Sequence, residues 1–346
     1  MALWKGPTKG KSSDPSAYRG LQIGSMLCKV MIIIIVKRVK QFYEGQLMDE
    51  QQGFRIGRST TDGLFLLKSL QYANYKSRKE TPVLFIDLKA AFDHINKDWL
   101  FKSIKQRIHE SSFKIFELLQ NLYENLTTAI DGQSKFKVEL GVRQGGPESP
   151  LLFNLYLDYV MRAVKCECNK QKIRFTKLSF SIPSSATSSN SSFGIYGKHN
   201  LEWIGYADDL VMSFDSTEDL RKGLCIVNSV FKRFGLIINA TKTKSMIINF
   251  EKQDYEYPET ITKLDGITIE NVKVFTYLGC QIHFKEQNTG TVEVTARIDM
   301  AETSFYQHSK KLMNKQINLV TRVNILNSLV RSRLTYGCQA WTLSIN

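Results

Sequence analysis

Two adjacent acids lie between two short apolar runs, and this pattern limits the possible folds more than any other in the chain. Residues 204–211 read IGYADDLV, with the acidic pair at Asp208 and Asp209. The pattern predicts two strands of a hairpin that present both acids at their turn. Carboxylates beside a buried strand are energetically costly unless a cation neutralises them. We therefore expect a cation at this hairpin.

A third acid occurs in a similar setting. Asp87 directly follows the apolar run VLFI at residues 83–86. Carboxylate oxygens suit Mg²⁺, and two such ions about 3.5–4 Å apart stabilise both the attacking and the leaving oxygen of a phosphoryl transfer. The three acids together therefore predict a centre for two Mg²⁺ ions, for which Mn²⁺ can substitute. Taken singly, each acid would be interpreted as a solvated turn residue.

The charge of the chain favours a polyanionic partner. Among 346 residues, Lys and Arg number 47 and Asp and Glu 33, which gives a net charge of +14. Such an excess is typical of proteins that bind nucleic acid, although ordinary basic proteins share it. Six cysteines without paired zinc spacing indicate reduced thiols, so we expect the nucleus and/or cytoplasm and not secretion. The apolar run 31–36 is far shorter than the ~20 residues of a membrane span, so no membrane partner is expected.

Local signals divide the chain into helices and strands. Capping patterns predict helix starts at Ser59 with Asp62, at Ser149 before Pro150, and at Ser216 with Asp219. The predicted helices lie within residues 21–50, then at 60–73, 98–107, 112–126, 149–164, 217–234, 291–313 and 318–334. The predicted strands are residues 83–88, a hairpin over 128–140 that turns on Asp131 and Gly132, the acidic hairpin, a strand ending in Ile237 and Ile238, and short strands over 261–283.

These elements predict an α+β fold, in which a sheet carries the acids, helices lie behind it, and a helical tail follows. A Ser-rich stretch at about 179–195 interrupts the pattern and is predicted to be a flexible insertion.

Seven segments, in order along the chain, are similar to the motifs of one enzyme family. They are YRG at 18–20, GFRIGRST at 53–60, FIDLKAAFD at 85–93, RQGGP at 143–147, YADD at 206–209, NATKT at 239–243 and YLG at 277–279. Each alone is unspecific, but the collinear set resembles the reverse transcriptase of non-LTR (LINE-type) retrotransposon polyproteins.

The resemblance implies a right-hand polymerase fold. Fingers and palm would occupy residues 1–283, with an antiparallel palm sheet backed by helices, and a helical thumb would occupy 284–346. We expect this fold to be truncated at its N-terminus and its thumb to be incomplete. An endonuclease domain or protein is expected to come from outside this chain.

The implied function is that of an RNA-directed DNA polymerase, which extends a DNA primer 3′-OH with dNTPs on an RNA template by a two-metal-ion mechanism. Asp87, Asp208 and Asp209 would be the catalytic metal ligands. Lys242 would neutralise or protonate the leaving pyrophosphate. Without the resemblance, Lys242 would be interpreted as a surface charge.

The resemblance implies dNTP contacts for Arg19, Leu88, Phe92, Gln144 and Gly145. Phe92 would block a ribose 2′-hydroxyl, although a phenylalanine is more often a core residue. Gln144 would contact the nucleotide through its amide, and the glycine after it lets backbone approach a ligand closely. Arg19, with Lys9 or Lys11, would hold the triphosphate.

Primer and template contacts are implied for Arg55, Arg58, Tyr277, Leu278 and Gly279. The two arginines would meet the template backbone or hold the fingers together. In the thumb, the candidate phosphate contacts are Lys310, Lys311, Lys315, Arg322, Arg331 and Arg333. The same cations would also fit a merely solvated face.

Two other functions are compatible with the sequence. A catalytically impaired or domesticated palm fragment would bind primer–template with salt-dependent affinity and incorporate no nucleotide. An intron-maturase-like protein would share the palm, but such proteins normally carry a further RNA-binding domain.

Overall fold

A computed structural model describes residues 2–4, 11, 13–14, 18–108, 113–129, 135–176, 178–181, 198–249 and 257–341. The helices within these ranges are α1 Met26–Tyr43, α2 Thr60–Lys76, α3 Lys97–Lys105, α4 Phe113–Glu124, α5 Ser149–Lys170, α6 Thr217–Arg233, α7 Glu286–Leu312, α8 Leu319–Leu326 and α9 Ser332–Leu334. The strands are β1 Ala2–Trp4, β2 Tyr18–Gly20, β3 Thr81–Ile86, β4 Thr127–Thr128, β5 Phe136–Lys137, β6 Leu178–Ser181, β7 Lys198–Leu201, β8 Trp203–Tyr206, β9 Asp209–Ser213, β10 Lys244–Ile248, β11 Thr260–Leu264, β12 Ile267–Glu270, β13 Val274–Tyr277 and β14 Cys280–His283.

A four-stranded antiparallel sheet in the order β10-β3-β9-β8 organises the molecule. β3 lies in the middle, where Phe85 pairs with Val211 of β9 and with Lys244 of β10. Every residue of β3 is buried, because the sheet is covered on both faces. The predicted α+β class is confirmed.

Each face of the sheet has its own hydrophobic core. Leu84 and Ile86 point to one side, where they join a core with the helices α5 and α6. Val83 and Phe85 point to the other, where they pack with α2 and with the hairpin of β13 and β14. This alternation follows from the two-residue period of a strand. It fixes the register of β3, and with it the position of Asp87 at its end.

Two of the three predicted capping patterns form as expected. The Ser59 amide donates to Asp62 Oδ2 at 2.6 Å, and the Asp219 amide donates to Ser216 Oγ at 3.0 Å. Gly235, with φ of +81°, follows α6 at the left-handed position that ends a helix. The predictions for α2 and α6 are confirmed.

The predicted start of α5 and the predicted strand at Ile237 and Ile238 need correction. Ser149 is the first residue of α5 and not its N-cap. Its hydroxyl donates to the Arg143 carbonyl. The helix also extends further than predicted, to Lys170. Ile237 and Ile238 do not form a strand, since Ile238 makes only an isolated bridge with Leu88 and β10 begins six residues later, at Lys244.

The Ser-rich stretch begins later than predicted, because its residues 179–181 belong to β6, which pairs with β7. The residues between these strands lie outside the described part of the chain, as do Asp131 and Gly132 of the predicted hairpin, whose strands β4 and β5 do pair. No helix in the described ranges has the length and apolarity needed to cross a membrane.

Candidate active site

The acidic hairpin forms as the sequence predicts. Tyr206 at the end of β8 pairs with Asp209 at the start of β9, so only Ala207 and Asp208 form the turn. Ala207 has φ of 57°, in the left-handed region that non-glycine residues seldom occupy. The conformation of this one residue directs the two carboxylates that follow it.

Asp87 lies beside this turn. Ile86 of β3 pairs with Leu210 of β9, so Asp87 is one residue further along in the direction of Asp209. Two bonds tie it to the segment before β10: the Asn239 amide donates to the Asp87 carbonyl at 2.8 Å, and the Asp87 amide donates to Thr243 Oγ1 at 3.3 Å. The structure therefore brings the three predicted acids together at one end of the sheet.

Negative charge is concentrated at this end of the sheet. The pKa of Asp209 is raised from its ordinary value of 3.8 to about 6, first by loss of hydration in the cleft and then by the charges of Asp208 and Asp87. Lys242 opposes this shift. Its ammonium lies 3.7 Å from Asp87 Oδ2, although both side chains are partly open to solvent. The Asp209 carboxyl has lost part of its hydration, but the residue as a whole remains exposed, so water screens these charges.

The donors here fit a divalent cation. Asp87 Oδ2 is buried and accepts no hydrogen bond within the described ranges, which leaves a hard oxygen available to a metal. The charges of Asp208 and Asp87 add to the desolvation that raises the pKa of Asp209, and a bound cation would offset their repulsion. Across the part of the chain that the structure describes, no three such side chains are gathered into a finished coordination shell.

An aromatic group borders the acids. Phe92 is half-buried and stacks on Phe153, with ring centroids 4.5 Å apart and planes at 9°. Phe54 meets the edge of Phe92 at 6.3 Å and lies 6.5 Å from Tyr206. Stacking on two sides fixes the ring of Phe92. The role of Phe92 as a steric gate stays a prediction.

Gln144 is already oriented by a neighbour. Its amide donates to both carboxylate oxygens of Asp93, at 2.6 and 2.7 Å. The backbones are also joined, since the Val142 amide donates to the Phe92 carbonyl at 2.9 Å. Gly145 is exposed with φ of +95°, a conformation that suits glycine. Sequence reasoning gave Asp93 no role, although it is the last residue of the segment FIDLKAAFD.

Arg55 and Arg58 do not face a template. Their side chains are only 5% and 6% exposed. Arg55 pairs with Glu44 at 2.8 Å and donates to three backbone carbonyls, while Arg58 pairs with Asp49 at 2.7 Å. These bonds hold both guanidinium groups inside the protein, which favours the alternative role of holding the fingers together.

Two further predicted contacts fall on residues whose side chains are buried. Leu88 packs in the core, so only its backbone can face a nucleotide. Tyr277 is likewise buried, and desolvation together with the charge of Asp209 raises the pKa of its hydroxyl. Leu278 and Gly279 do form an accessible turn, with φ of 46° and 78°, between β13 and β14.

The structure describes the predicted triphosphate contacts only in part. Arg19 belongs to β2, but its side chain lies outside the described part of the structure, and so does Lys9. Lys11 is exposed. The roles of these residues stay predictions.

Comparison with known proteins identifies the family. A family model described as "Reverse transcriptase (RNA-dependent DNA polymerase)" matches residues 7–282. The match covers most of the chain, so the chain belongs to the reverse transcriptase family. Its four-stranded sheet is accordingly the palm of a right-hand polymerase fold, and the class of enzyme is that of the nucleotidyltransferases.

The sequence relatives include retrotransposon proteins of the non-LTR type. The Pol polyprotein from the type-1 retrotransposable element R2 of Popillia japonica is 26% identical over 246 residues, which cover 70% of this chain and 31% of that protein. A 115 kDa protein of the type-1 retrotransposable element R1DM of Drosophila melanogaster is 24% identical to this chain. The match covers 99% of this chain and 30% of that protein. The chain thus spans about a third of either relative.

Among solved structures, telomerase from Candida albicans in complex with a fragment of telomeric RNA is similar over 92% of this chain and 49% of its own, at 10% identity and a TM-score of 0.48. The apo telomerase of Candida tropicalis gives 13% identity and a TM-score of 0.48 over 90% of this chain and 50% of its own. At these scores the likeness adds nothing to the assignment, which depends on the family match.

Proposed function

We propose that this chain is the polymerase part of a non-LTR retrotransposon protein and extends a DNA primer with dNTPs on an RNA template. The proposal is based on the position of Asp87, Asp208 and Asp209, which lie together at one end of the palm sheet. Membership of the reverse transcriptase family gives this arrangement its chemical meaning.

Asp87, Asp208 and Asp209 would hold two Mg²⁺ ions. When bound, such ions activate the primer 3′-OH and stabilise the leaving pyrophosphate. The chain itself supplies positioning and charge: the buried Oδ2 of Asp87 and the adjacent turn fix where the acids lie. Lys242 would neutralise negative charge that develops on a departing pyrophosphate, and the position of its exposed ammonium beside Asp87 supports this role.

Selection of the nucleotide would depend on the pair Phe92 and Gln144. The rigid ring of Phe92 would contact the sugar at C2′ and exclude a hydroxyl there. The Gln144 amide, turned toward this region by Asp93, would contact the nucleotide. A net charge of +14 supports binding of the RNA template and DNA primer. An endonuclease activity, and work on chromosomal DNA in the nucleus, would require other domains or proteins.

Primer extension tests this proposal. The purified chain should add dTMP to oligo(dT) annealed to poly(A) in the presence of Mg²⁺, and Asp208→Ala should abolish the addition. Asp98→Ala, which alters an exposed acid at the start of α3, is the matched control and should extend normally. Salt-dependent binding of the duplex without extension by any of the three proteins would instead support a palm that only binds nucleic acid.

A further inference from the structure

A fully buried glutamine contacts the turn that carries the two acids. Gln51 Oε1 accepts from the Ala207 amide at 3.1 Å, and its Nε2 donates to the Ala207 carbonyl at 3.2 Å. The same Oε1 accepts from the Gly53 amide at 3.0 Å. The side chain is 1% exposed. One amide group therefore satisfies both backbone polar groups of the residue that has the left-handed conformation.

The segment around Gln51 extends the sheet at its β8 edge. The Gly205 amide donates to the Glu50 carbonyl at 2.9 Å, and the Gln52 amide donates to the Gly205 carbonyl at 2.7 Å. These bonds make a parallel bridge between Gln51 and Gly205. The backbone of Gln51 is thus fixed relative to β8 before its side chain reaches the turn.

Gly53 allows this close approach. A Cβ atom there would lie 2.3 Å from the Ala207 nitrogen, so only glycine fits. On its other side, Asn154 of α5 donates to the Gly53 carbonyl at 2.7 Å. The turn is therefore supported through Gln51 and Gly53 by the buried helix α5.

We propose that Gln51 is a positioning residue, which holds Ala207 in its left-handed conformation and thereby aims Asp208 and Asp209. Its amide offers one acceptor and one donor to Ala207, and no apolar side chain can replace both. Without it, the buried Ala207 amide and carbonyl would lose their partners and the strained turn would relax. The expected effect of Gln51 on primer-extension kinetics rests on the proposed polymerase function. Its expected effect on the conformation of the turn does not.

Gln51→Met tests the proposal against Gln71→Met. Gln71 is equally buried, at 1% exposure, and its Nε2 donates to a backbone carbonyl, that of His283, at 2.5 Å. Both variants remove a buried amide, but only one touches the acidic turn. Gln51→Glu is a milder variant, because burial keeps its carboxyl protonated, and the acid can accept from the Gly53 and Ala207 amides and donate to the Ala207 carbonyl.

The first measurement needs no metal and no activity. Amide hydrogen exchange in the peptide over residues 204–210 should become at least ~10-fold faster in Gln51→Met, less so in Gln51→Glu, and should not change in Gln71→Met. Unchanged exchange at this turn in Gln51→Met and Gln51→Glu would overturn the proposal.

The second measurement is primer-extension kinetics. Gln51→Met should lower kcat about 100-fold and change the KM for dNTP less than ~3-fold, because a displaced catalytic group affects the reacting geometry and not nucleotide binding. Gln71→Met should keep the wild-type kcat. Equal losses in the two variants would mean a merely structural role. If the wild-type chain does not extend primers, the polymerase proposal fails, while the exchange experiment still decides the role of Gln51.

Discussion

Replacing a proposed catalytic acid should make this protein more stable. The pKa of Asp209 rises from 3.8 to about 6 in the folded chain, so ionising this carboxyl opposes folding. A shift of about two units corresponds to roughly 3 kcal/mol at ~1.4 kcal/mol per unit. Because the side chain is exposed, solvent screening reduces this, and we expect Asp209→Asn to add about 1 kcal/mol to the free energy of unfolding at pH 7.5.

The direction of the pH dependence follows from proton binding. Between the unfolded pKa of 3.8 and the folded pKa of about 6, the folded state binds the proton more strongly. Wild-type stability therefore falls as the pH rises through this window and stays lower above it. The advantage of Asp209→Asn should accordingly be about half as large at pH 5 as at pH 7.5, and should vanish near pH 3.

Denaturant unfolding in EDTA measures this effect. Wild type, Asp209→Asn and the control Asp299→Asn, an exposed acid of α7, are compared at pH 5 and pH 7.5. Mg²⁺ should narrow the gap between wild type and Asp209→Asn, because a bound cation stabilises the ionised acids of the wild type. Equal stabilities at pH 7.5, or an advantage for Asp209→Asn that does not depend on pH, would refute the reasoning.

Three further predictions follow from the site. Phe92→Val should raise rNTP incorporation at least ~10-fold relative to dNTP, because the smaller side chain no longer fills the space near C2′; unchanged discrimination in single-nucleotide assays would contradict this. Asp93→Ala should raise the KM for dNTP about tenfold by releasing the Gln144 amide; a change confined to kcat would argue against that role. Arg55→Met should lower the unfolding free energy by ~1–3 kcal/mol, because half-buried Glu44 and the carbonyls of Glu44 and Met48 lose their donor. The salt dependence of primer–template binding should not change in Arg55→Met, and a shallower slope would support the template role.

The sequence predicts those features that depend on neighbours along the chain. Ser59 with Asp62, and Ser216 with Asp219, form their caps because each pair lies within one helical turn. The turn at Asp208 forms because apolar strands flank it. At these positions the local sequence pattern agrees with the final structure, because tertiary contacts reinforce the local preference.

Features set by long-range pairing could not be predicted in the same way. Whether Tyr277 faces the core or a primer depends on which face of β13 is covered, and only the packing of α2 and β3 decides that. Arg55 could have been anticipated in part, because its partner Glu44 is only 11 residues away. Gln51 offers no such signal, since its partner Ala207 lies 156 residues further along the chain.

Binding of Mn²⁺ to the complete complex tests the central claim most directly. The chain is mixed with a poly(A) template, a dideoxy-terminated oligo(dT) primer and dTTP, and Mn²⁺ is titrated by electron paramagnetic resonance. The account predicts two Mn²⁺ ions bound to the wild-type complex beyond those held by dTTP and duplex alone, and their loss in Asp208→Ala. The same Mn²⁺ binding in wild type and Asp208→Ala would contradict a metal centre at these acids.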